Sequence, residues 1–175
     1  MGSQVTIKHD FSSAIAGLDK LNGAFKQSLA RRMGVEGGVA LRDEAKRWVP
    51  RSVGPYNPNS RGTQEAYTLR NAIYLAFDKA GSSEDVIRYR VSWNAQKAWW
   101  GKLVEFEHYQ RYQVYYNAKM GYYTTNKEVP LAAPRRIGPK PFLRPAYDIV
   151  EPKLLGIMVA RGKEEFALLI SEIAQ

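Results

Sequence analysis

Residues 139–146 read PKPFLRPA, and this proline-rich segment constrains the fold more than any other part of the chain. Its three prolines fix the backbone angle φ at their own positions and favour extended geometry in the residues before them. The segment is therefore predicted to be a stiff strap that leads directly into a helix. Phe142 and Leu143 are expected to anchor it inward, whereas Lys140 and Arg144 are expected to face a neighbouring molecule or a channel.

Apolar residues recur at steps of three and four near both ends of the chain, which predicts two long helices. The first runs from Phe11 to Pro50, and the glycines at 37 and 38 are expected either to break it or to weaken it. The second includes the apolar residues from Ala146 to Ile173. Pro152 is expected to kink this helix or to mark its first turn.

Alternating apolar and polar residues between these helices predict antiparallel strands. Segments 74–77 and 85–93 form one predicted hairpin, and segments 109–116 and 122–125 form a second. Together with the helices, these strands predict a single α+β domain over residues 1–175. In this fold both long helices pack on a central antiparallel sheet.

Four further segments complete the predicted organisation. Residues 5–8 are predicted to form a short strand, and a short helix is expected within 95–106. Residues 51–68 form a polar loop that is long for a compact domain, and such loops are often functional. Residues 127–141 are predicted to be irregular, and they overlap a long tyrosine-rich excursion at 109–134.

The chemistry-bearing residues indicate a protein that is not an enzyme. The 175 residues include no cysteine and only two histidines, which excludes disulfides, cysteine-ligated zinc, thiol nucleophiles and iron–sulfur clusters. The sequence contains no nucleophile elbow, P-loop or dinucleotide-binding fingerprint. We therefore expect no catalytic residue, no metal and no cofactor. No apolar run approaches the roughly 20 residues that span a bilayer, so no membrane partner is expected.

Glu105 and Glu107 are the best placed pair of acids, because residues two apart share one face of a strand. Two-metal nucleases need clustered carboxylates, often with a lysine, and no such spacing stands out here. A solvated or ion-paired role is expected for both residues. The alternative, a metal-dependent nuclease, ranks last and predicts magnesium-dependent cleavage that is lost in Glu105→Gln.

The surface chemistry favours binding to other macromolecules. The formal net charge of +9 indicates a partner or environment of negative sign, or a generally basic surface. A tyrosine-rich hairpin suits protein interfaces and base stacking equally well. The candidates for a subunit or partner interface are Tyr109, Tyr112, Tyr115, Tyr116, Phe142 and Arg144. The candidates for DNA-channel contacts or ion pairs are Arg135, Arg136 and Lys140.

The order of several short motifs resembles a known family. The chain reads WVP at 48–50, LRNAI at 69–73, LVEF at 103–106 and KPFLRPA at 140–146, before the last predicted helix. This order is similar to that of the tail-component family, also called tail-completion or neck proteins, of long-tailed bacteriophages. The resemblance extends over nearly the whole chain, from Phe11 to Ile173, and its most specific element is the PFLRPA run.

The resemblance implies a structural virion protein at the head–tail junction or at the top of the tail. It implies a ring, expected to hold six copies, that surrounds the DNA channel and joins the tail to the head. The partners would be further copies, the connector, the tail terminator or the tail tube, with non-specific contact to DNA in the channel. Such a protein would be present in the host cytoplasm during assembly and then in the virion.

The chain departs from the family pattern at two places, directly after the VEF motif and in the excursion that follows it. The family usually has glycine after VEF, whereas this chain has Glu107 and His108, and the excursion at 109–134 is long and tyrosine-rich. Two alternative functions stay open from the sequence. One is a tail terminator that caps the tail tube, and the other is a basic DNA-binding protein, whose affinity for duplex DNA would depend steeply on salt.

Overall fold

A computed structural model describes residues 5–7, 23–50, 68–83, 85–119 and 122–173. These residues form helices and antiparallel strands, so the predicted α+β class is confirmed. Most of the predicted polar loop and the predicted start of the first helix lie outside the described residues.

Three antiparallel strands form the sheet of the core. They are β1 (Val5–Ile7), β2 (Ile73–Phe77) and β3 (Tyr89–Trp93), in the order β1-β3-β2. Val91 in the middle strand is opposite Val5 on one side and Leu75 on the other. The predicted hairpin of 74–77 with 85–93 is confirmed, although its second strand begins only at Tyr89.

Two long helices pack against each other beside this sheet. They are α1 (Gly23–Trp48) and α4 (Leu143–Ile173). The sheet packs chiefly on α1, and α4 lies antiparallel to α1 on its other side, so α1 is the middle layer. Near the end of α4, Glu165 accepts a hydrogen bond from Arg32 of α1 over 2.6 Å and also pairs with Arg161. The predicted helices are therefore confirmed over their described residues.

The glycines of α1 allow it to lie close to both neighbours. A Cβ on Gly38 would lie 2.5 Å from Leu75 Cδ1 in the sheet, and one on Gly37 would lie 2.9 Å from Leu154 Cδ1 in α4. The helix runs without interruption through both glycines, so of the two effects expected from the sequence, a break in the helix does not occur. Tertiary packing outweighs the helix propensity that glycine loses, roughly 1 kcal/mol per residue.

Two short helices adjoin the sheet. The first, α2 (Thr68–Ala72), leads directly into β2, so the LRNAI motif is divided between a helix and a strand. The second, α3 (Gly101–Glu105), confirms the short helix expected within 95–106. A Cβ on Gly101 would lie 2.5 Å from Nε1 of Trp93, so only glycine lets α3 begin against that buried indole.

The last two strands form a separate two-stranded ribbon. They are β4 (His108–Asn117) and β5 (Tyr122–Ile137), and they pair only with each other. We call this ribbon the arm. No residue of the arm belongs to the buried core cluster, which is drawn from α1, α2, β2, β3, α4, the turn before α3 and Phe142.

Candidate interaction surface

The start of α4 is capped by a side chain from far away in sequence. The backbone N–H groups of Phe142 and Leu143 donate to Oε2 of Glu105 over 2.8 and 3.1 Å, and that of Arg144 donates to Oε1 over 3.4 Å. Pro145 has no N–H, so the amides that a helix start leaves without partners are accounted for. A carboxylate is well suited to this place because the helix dipole is positive there.

Glu105 is thus not the solvated or ion-paired residue that the sequence indicated. It is 7% exposed, and both of its oxygens accept backbone hydrogen bonds. The reason is geometric, since the last residue of α3 lies directly against the first turn of α4. A sequence signal for this arrangement does exist. Residues 139–145 contain no Ser, Thr, Asp or Asn that could cap the helix locally.

The predicted strap is shorter than expected, and only its last residue, Phe142, is buried. Only residues 138–142, which we call the linker, precede the helix, because α4 begins at Leu143. Pro152 therefore lies inside the helix and does not mark its first turn. The N–H of Lys140 donates to the carbonyl of Val104 over 2.8 Å, which ties the linker to α3.

Phe142 is a core residue, and its prediction as an interface residue is corrected. Its side chain is 0% exposed, and its ring lies 5.7 Å from that of Trp93 in an edge-to-face arrangement. It therefore presents no surface to a neighbour. Leu143 is also buried, as expected, whereas Lys140 and Arg144 are exposed.

An ion pair joins the two chain segments at the place where the arm leaves the core, which we call the root of the arm. Arg136, which is opposite Tyr109 in the ribbon, donates to Glu107 over 2.5 Å, and Glu107 lies directly before β4. The hydrogen bond from Arg136 is the main reason that the pKa of Glu107 is lowered from its ordinary value. Arg136 is thus the ion-paired member of the predicted basic cluster. Arg135 and Lys140 are exposed and form no ion pair with a described residue.

The arm exposes aromatic side chains on both of its faces. Tyr116 is directly opposite Tyr123, and their rings lie 5.4 Å apart. Val114 shares this face because strand residues two apart point the same way, whereas Tyr115 lies on the other face. Tyr109 and Tyr112 lie nearer the root and are also exposed. The structure therefore places all four predicted tyrosines on the arm, but it divides them between two faces.

The second strand of the arm continues through a segment that was predicted to be irregular. The pairing of residues 122–125 with β4 is confirmed, but β5 extends to Ile137 and includes Pro130 and Pro134. Proline is tolerated here because each strand of a two-stranded ribbon is an edge strand, with one side that needs no hydrogen-bond donor. Shifts in register on both sides of Tyr112 accommodate the additional residues of β5.

The arm is also basic. Together with Glu107, which directly precedes it, the stretch up to Ile137 contains five basic and two acidic side chains, for a net charge of +3. Its cations other than Arg136 are exposed and form no ion pair with the described part of the chain; they are Arg111, Lys119, Lys127 and Arg135. Exposed aromatic rings beside free cations can bind an acidic protein surface or a nucleic acid.

Neither a metal centre nor a membrane-spanning helix is found in the described parts of the chain. Within those ranges, no three acids or histidines are grouped so that they could hold a metal ion. None of the described helices is both long and apolar enough to cross a bilayer.

Comparisons with models of protein families, with curated proteins and with solved structures found no match. The arm, its ion-paired root and the capped start of α4 are therefore the structural features on which a functional proposal can rest, beside the order of the sequence motifs.

Proposed function

We propose that this chain is a structural virion protein of a long-tailed phage, at the head–tail junction or the top of the tail. Several copies, expected to be six, form a ring around the DNA channel and join the tail to the head. Two independent features support the proposal. One is the order of the motifs at 48–50, 69–73, 103–106 and 140–146, and the other is the arm.

The exposed arm is the observation that carries the proposal. A two-stranded ribbon without a covering layer is marginally stable in water. Here it displays Tyr115, Tyr116 and Tyr123, with exposed fractions of 42%, 49% and 57%. Tyrosines are common where two proteins meet, because they bury a large apolar area and keep a polar group. Such an arm is suited to a neighbouring subunit or to a partner in the tail.

The attachment of the arm supports the same assignment. Glu105, the ion pair of Glu107 with Arg136 and the linker all hold the root in place. The root is therefore tied to the core, whereas the outer part contributes nothing to the core cluster. If the arm binds the same site on each neighbour, this attachment strengthens binding, because the arm loses less conformational freedom when it binds.

In-vitro complementation tests the proposal. Tails made without this protein are mixed with heads and with purified wild-type chain, and joined particles are counted by plaque titre or electron microscopy. Wild type is expected to restore joining, whereas a variant with residues 109–136 replaced by a short Gly/Ser linker is not. If the two proteins are equally active, the arm has no role in joining heads to tails. If the wild-type protein does not restore joining, the proposal is rejected.

A free DNA-binding protein is the second candidate, and the exposed cations of the arm favour it. Arg111, Lys119 and Lys127 lie beside the tyrosines and have no ion pair with described residues. If the monomer acts on DNA, its affinity for duplex DNA falls steeply as salt is raised, because counterions are released on binding. Weak binding by a protein that forms rings favours the virion assignment. A tail terminator would be distinguished by its position, on the end of an isolated tube.

A further inference from the structure

The two faces of the arm differ in chemistry. Residues two apart on a strand share a face, and residues directly opposite each other on paired strands share one too. Val114, Tyr116 and Tyr123 therefore form one face, which is apolar. The other, which we call the polar face, carries side chains that form hydrogen bonds. Its members are Tyr109, Arg111, Gln113 and Tyr115 on β4, with Thr124, Asn126 and Arg136 on β5.

Contacts at the root agree with this division. Tyr109 is opposite Arg136, and both side chains form hydrogen bonds with Glu107. These three residues therefore lie on the same side of the ribbon, and the charge of Glu107 is neutralised there. Glu128, the only acid within β4 and β5, lies where the register shifts and has no partner on β4.

Two cations are available on the side of the polar face. Arg111, in the middle of β4, is exposed and forms no ion pair with a described residue. Lys119, in the turn at the tip, is exposed as well, and its N–H donates to Oδ1 of Asn117 over 3.1 Å. Asn117 follows Tyr115 by two residues, so it lies on the side of the polar face. This charge complements a polyanion.

The other side chains of the polar face are those that contact DNA bases and phosphates. Gln113 is directly opposite Asn126, whose Oδ1 accepts a hydrogen bond from the N–H of Glu128 over 2.9 Å. Arginine, glutamine and asparagine form paired hydrogen bonds with base edges in the major groove. Tyrosine and threonine hydroxyls commonly bind phosphate oxygens. The set as a whole therefore matches duplex DNA.

The dimensions of the arm fit the same ligand. The major groove is about 12 Å wide and admits a two-stranded ribbon, and the strands of such a ribbon are about 4.8 Å apart. Tyr109 and Tyr115 are six residues apart, which corresponds to about 20 Å along a strand and to roughly six base pairs. The arm can enter a groove because none of its residues belongs to the core cluster.

The polar face fits two other ligands less well. A single strand needs closely spaced rings for successive bases, whereas Tyr109 and Tyr115 lie far apart. The rings that are close, those of Tyr116 and Tyr123, are on the apolar face and contact each other edge to face. The centre of a protein interface is apolar and poor in charge, which matches the apolar face instead.

We infer that the polar face of the arm lies in the major groove of duplex DNA, while the apolar face is left for a protein neighbour. The inference deepens the proposed function and rests on it for the presence of DNA. With two free cations, one copy binds weakly, with a Kd on the order of 10⁻⁵ M. Several arms in one ring bind more tightly, because the later contacts are intramolecular.

Fluorescence anisotropy of a short labelled duplex of mixed sequence, measured at several salt concentrations, tests this inference. Arg111→Gln is expected to raise the Kd about 10-fold and to reduce the slope of log K against log salt by about 1 per bound copy. Gln113→Ala with Asn126→Ala is also expected to raise the Kd about 10-fold. The slope then stays the same, because neither side chain is charged. The unlabelled duplex is expected to compete better than the single strand of the same sequence.

Matched controls change the same residue types outside the arm. Lys79→Gln removes one exposed cation, and Asn71→Ala with Gln96→Ala removes two exposed amides. Both are expected to bind like wild type, and thermal unfolding verifies that every variant is folded.

The inference and the proposed function fail in different ways. Absence of duplex binding, polar-face variants that bind like wild type, or stronger competition by the single strand would overturn the inference. None of these results affects the joining of heads to tails, so the proposed ring would be left intact. Wild type that binds the duplex through the polar face but does not restore joining would reject the proposed function, while the contact with DNA stands.

Discussion

At the scale of single residues, the carboxylate of Glu105 connects two parts of the molecule that are far apart in sequence. It ends α3, three residues before the arm begins, and it caps α4, which begins six residues after the arm ends. The chain therefore leaves the core and returns to it at one place. This side chain orients the arm, although it lies outside the arm and is almost completely buried.

Replacing this cap is expected to destabilise the protein. In Glu105→Gln the charge is lost, and the new amide group places donors against the backbone N–H groups of α4. We expect a loss of about 1.5–3 kcal/mol in the free energy of unfolding. Urea unfolding followed by circular dichroism measures it. Glu128→Gln on the exposed arm is the matched control, and an equal unfolding midpoint for both variants would contradict the assigned role of Glu105.

The ion pair at the root of the arm has a predictable dependence on pH. The pKa of Glu107 is lowered by its hydrogen bond from Arg136. A lowered pKa in the folded state means that the stabilising contribution is present above the pKa of the unfolded state. It is lost as pH falls through the folded value. Carbon NMR of the side chain is expected to show this pKa rising in Arg136→Gln, and an unchanged titration would show that the pair does not form in solution.

At the scale of elements, the start of α3 packs against Trp93 of β3, shortly before the arm leaves the core. In Gly101→Ala the new Cβ meets the rigid indole of Trp93, and we expect a loss of about 1–3 kcal/mol in the free energy of unfolding. Gly156→Ala in α4 is the matched control, because a Cβ there meets nothing within 4 Å. This change is expected to stabilise the helix by about 0.5–1 kcal/mol. Thermal unfolding of both variants checks the opposite signs.

The arm itself is expected to be dispensable for folding. His108 and Ile137 are opposite each other at the root, so a short Gly/Ser connection can replace residues 109–136 without moving either end. Because no arm residue lies in the core cluster, the shortened chain is expected to unfold cooperatively at nearly the wild-type temperature. Loss of cooperative unfolding would show that the arm supports the core, which would contradict the division between them.

The elements differ in how far local sequence determines them. The helix α4 and the hairpin of β2 and β3 follow from apolar periodicity, which reflects which face is buried. The end of β5 does not follow from it, because the prolines at 130 and 134 disfavour a strand in general and are tolerated only at an edge. The contact of Glu105 with Phe142 joins residues 37 positions apart, and no local pattern encodes such a contact. The need for glycine at position 37 is not encoded locally either, because it depends on how closely α4 approaches α1.

At the scale of the whole molecule, the protein combines a compact core with an exposed arm, which we propose binds a neighbouring molecule. The core places α1 between the sheet and α4, and it leaves the outer side of α4 and both faces of the arm exposed. The net charge of +9 makes unspecific contacts between copies unfavourable. In the proposed ring, association must therefore come from surfaces that match.

Negative-stain electron microscopy of the purified chain, alone and mixed with isolated tails, tests the central claim most directly. The account predicts rings with an open centre, or a layer of added density on the end of the tail that faces the head. A particle that stays monomeric at every concentration and adds nothing to the tails would contradict it.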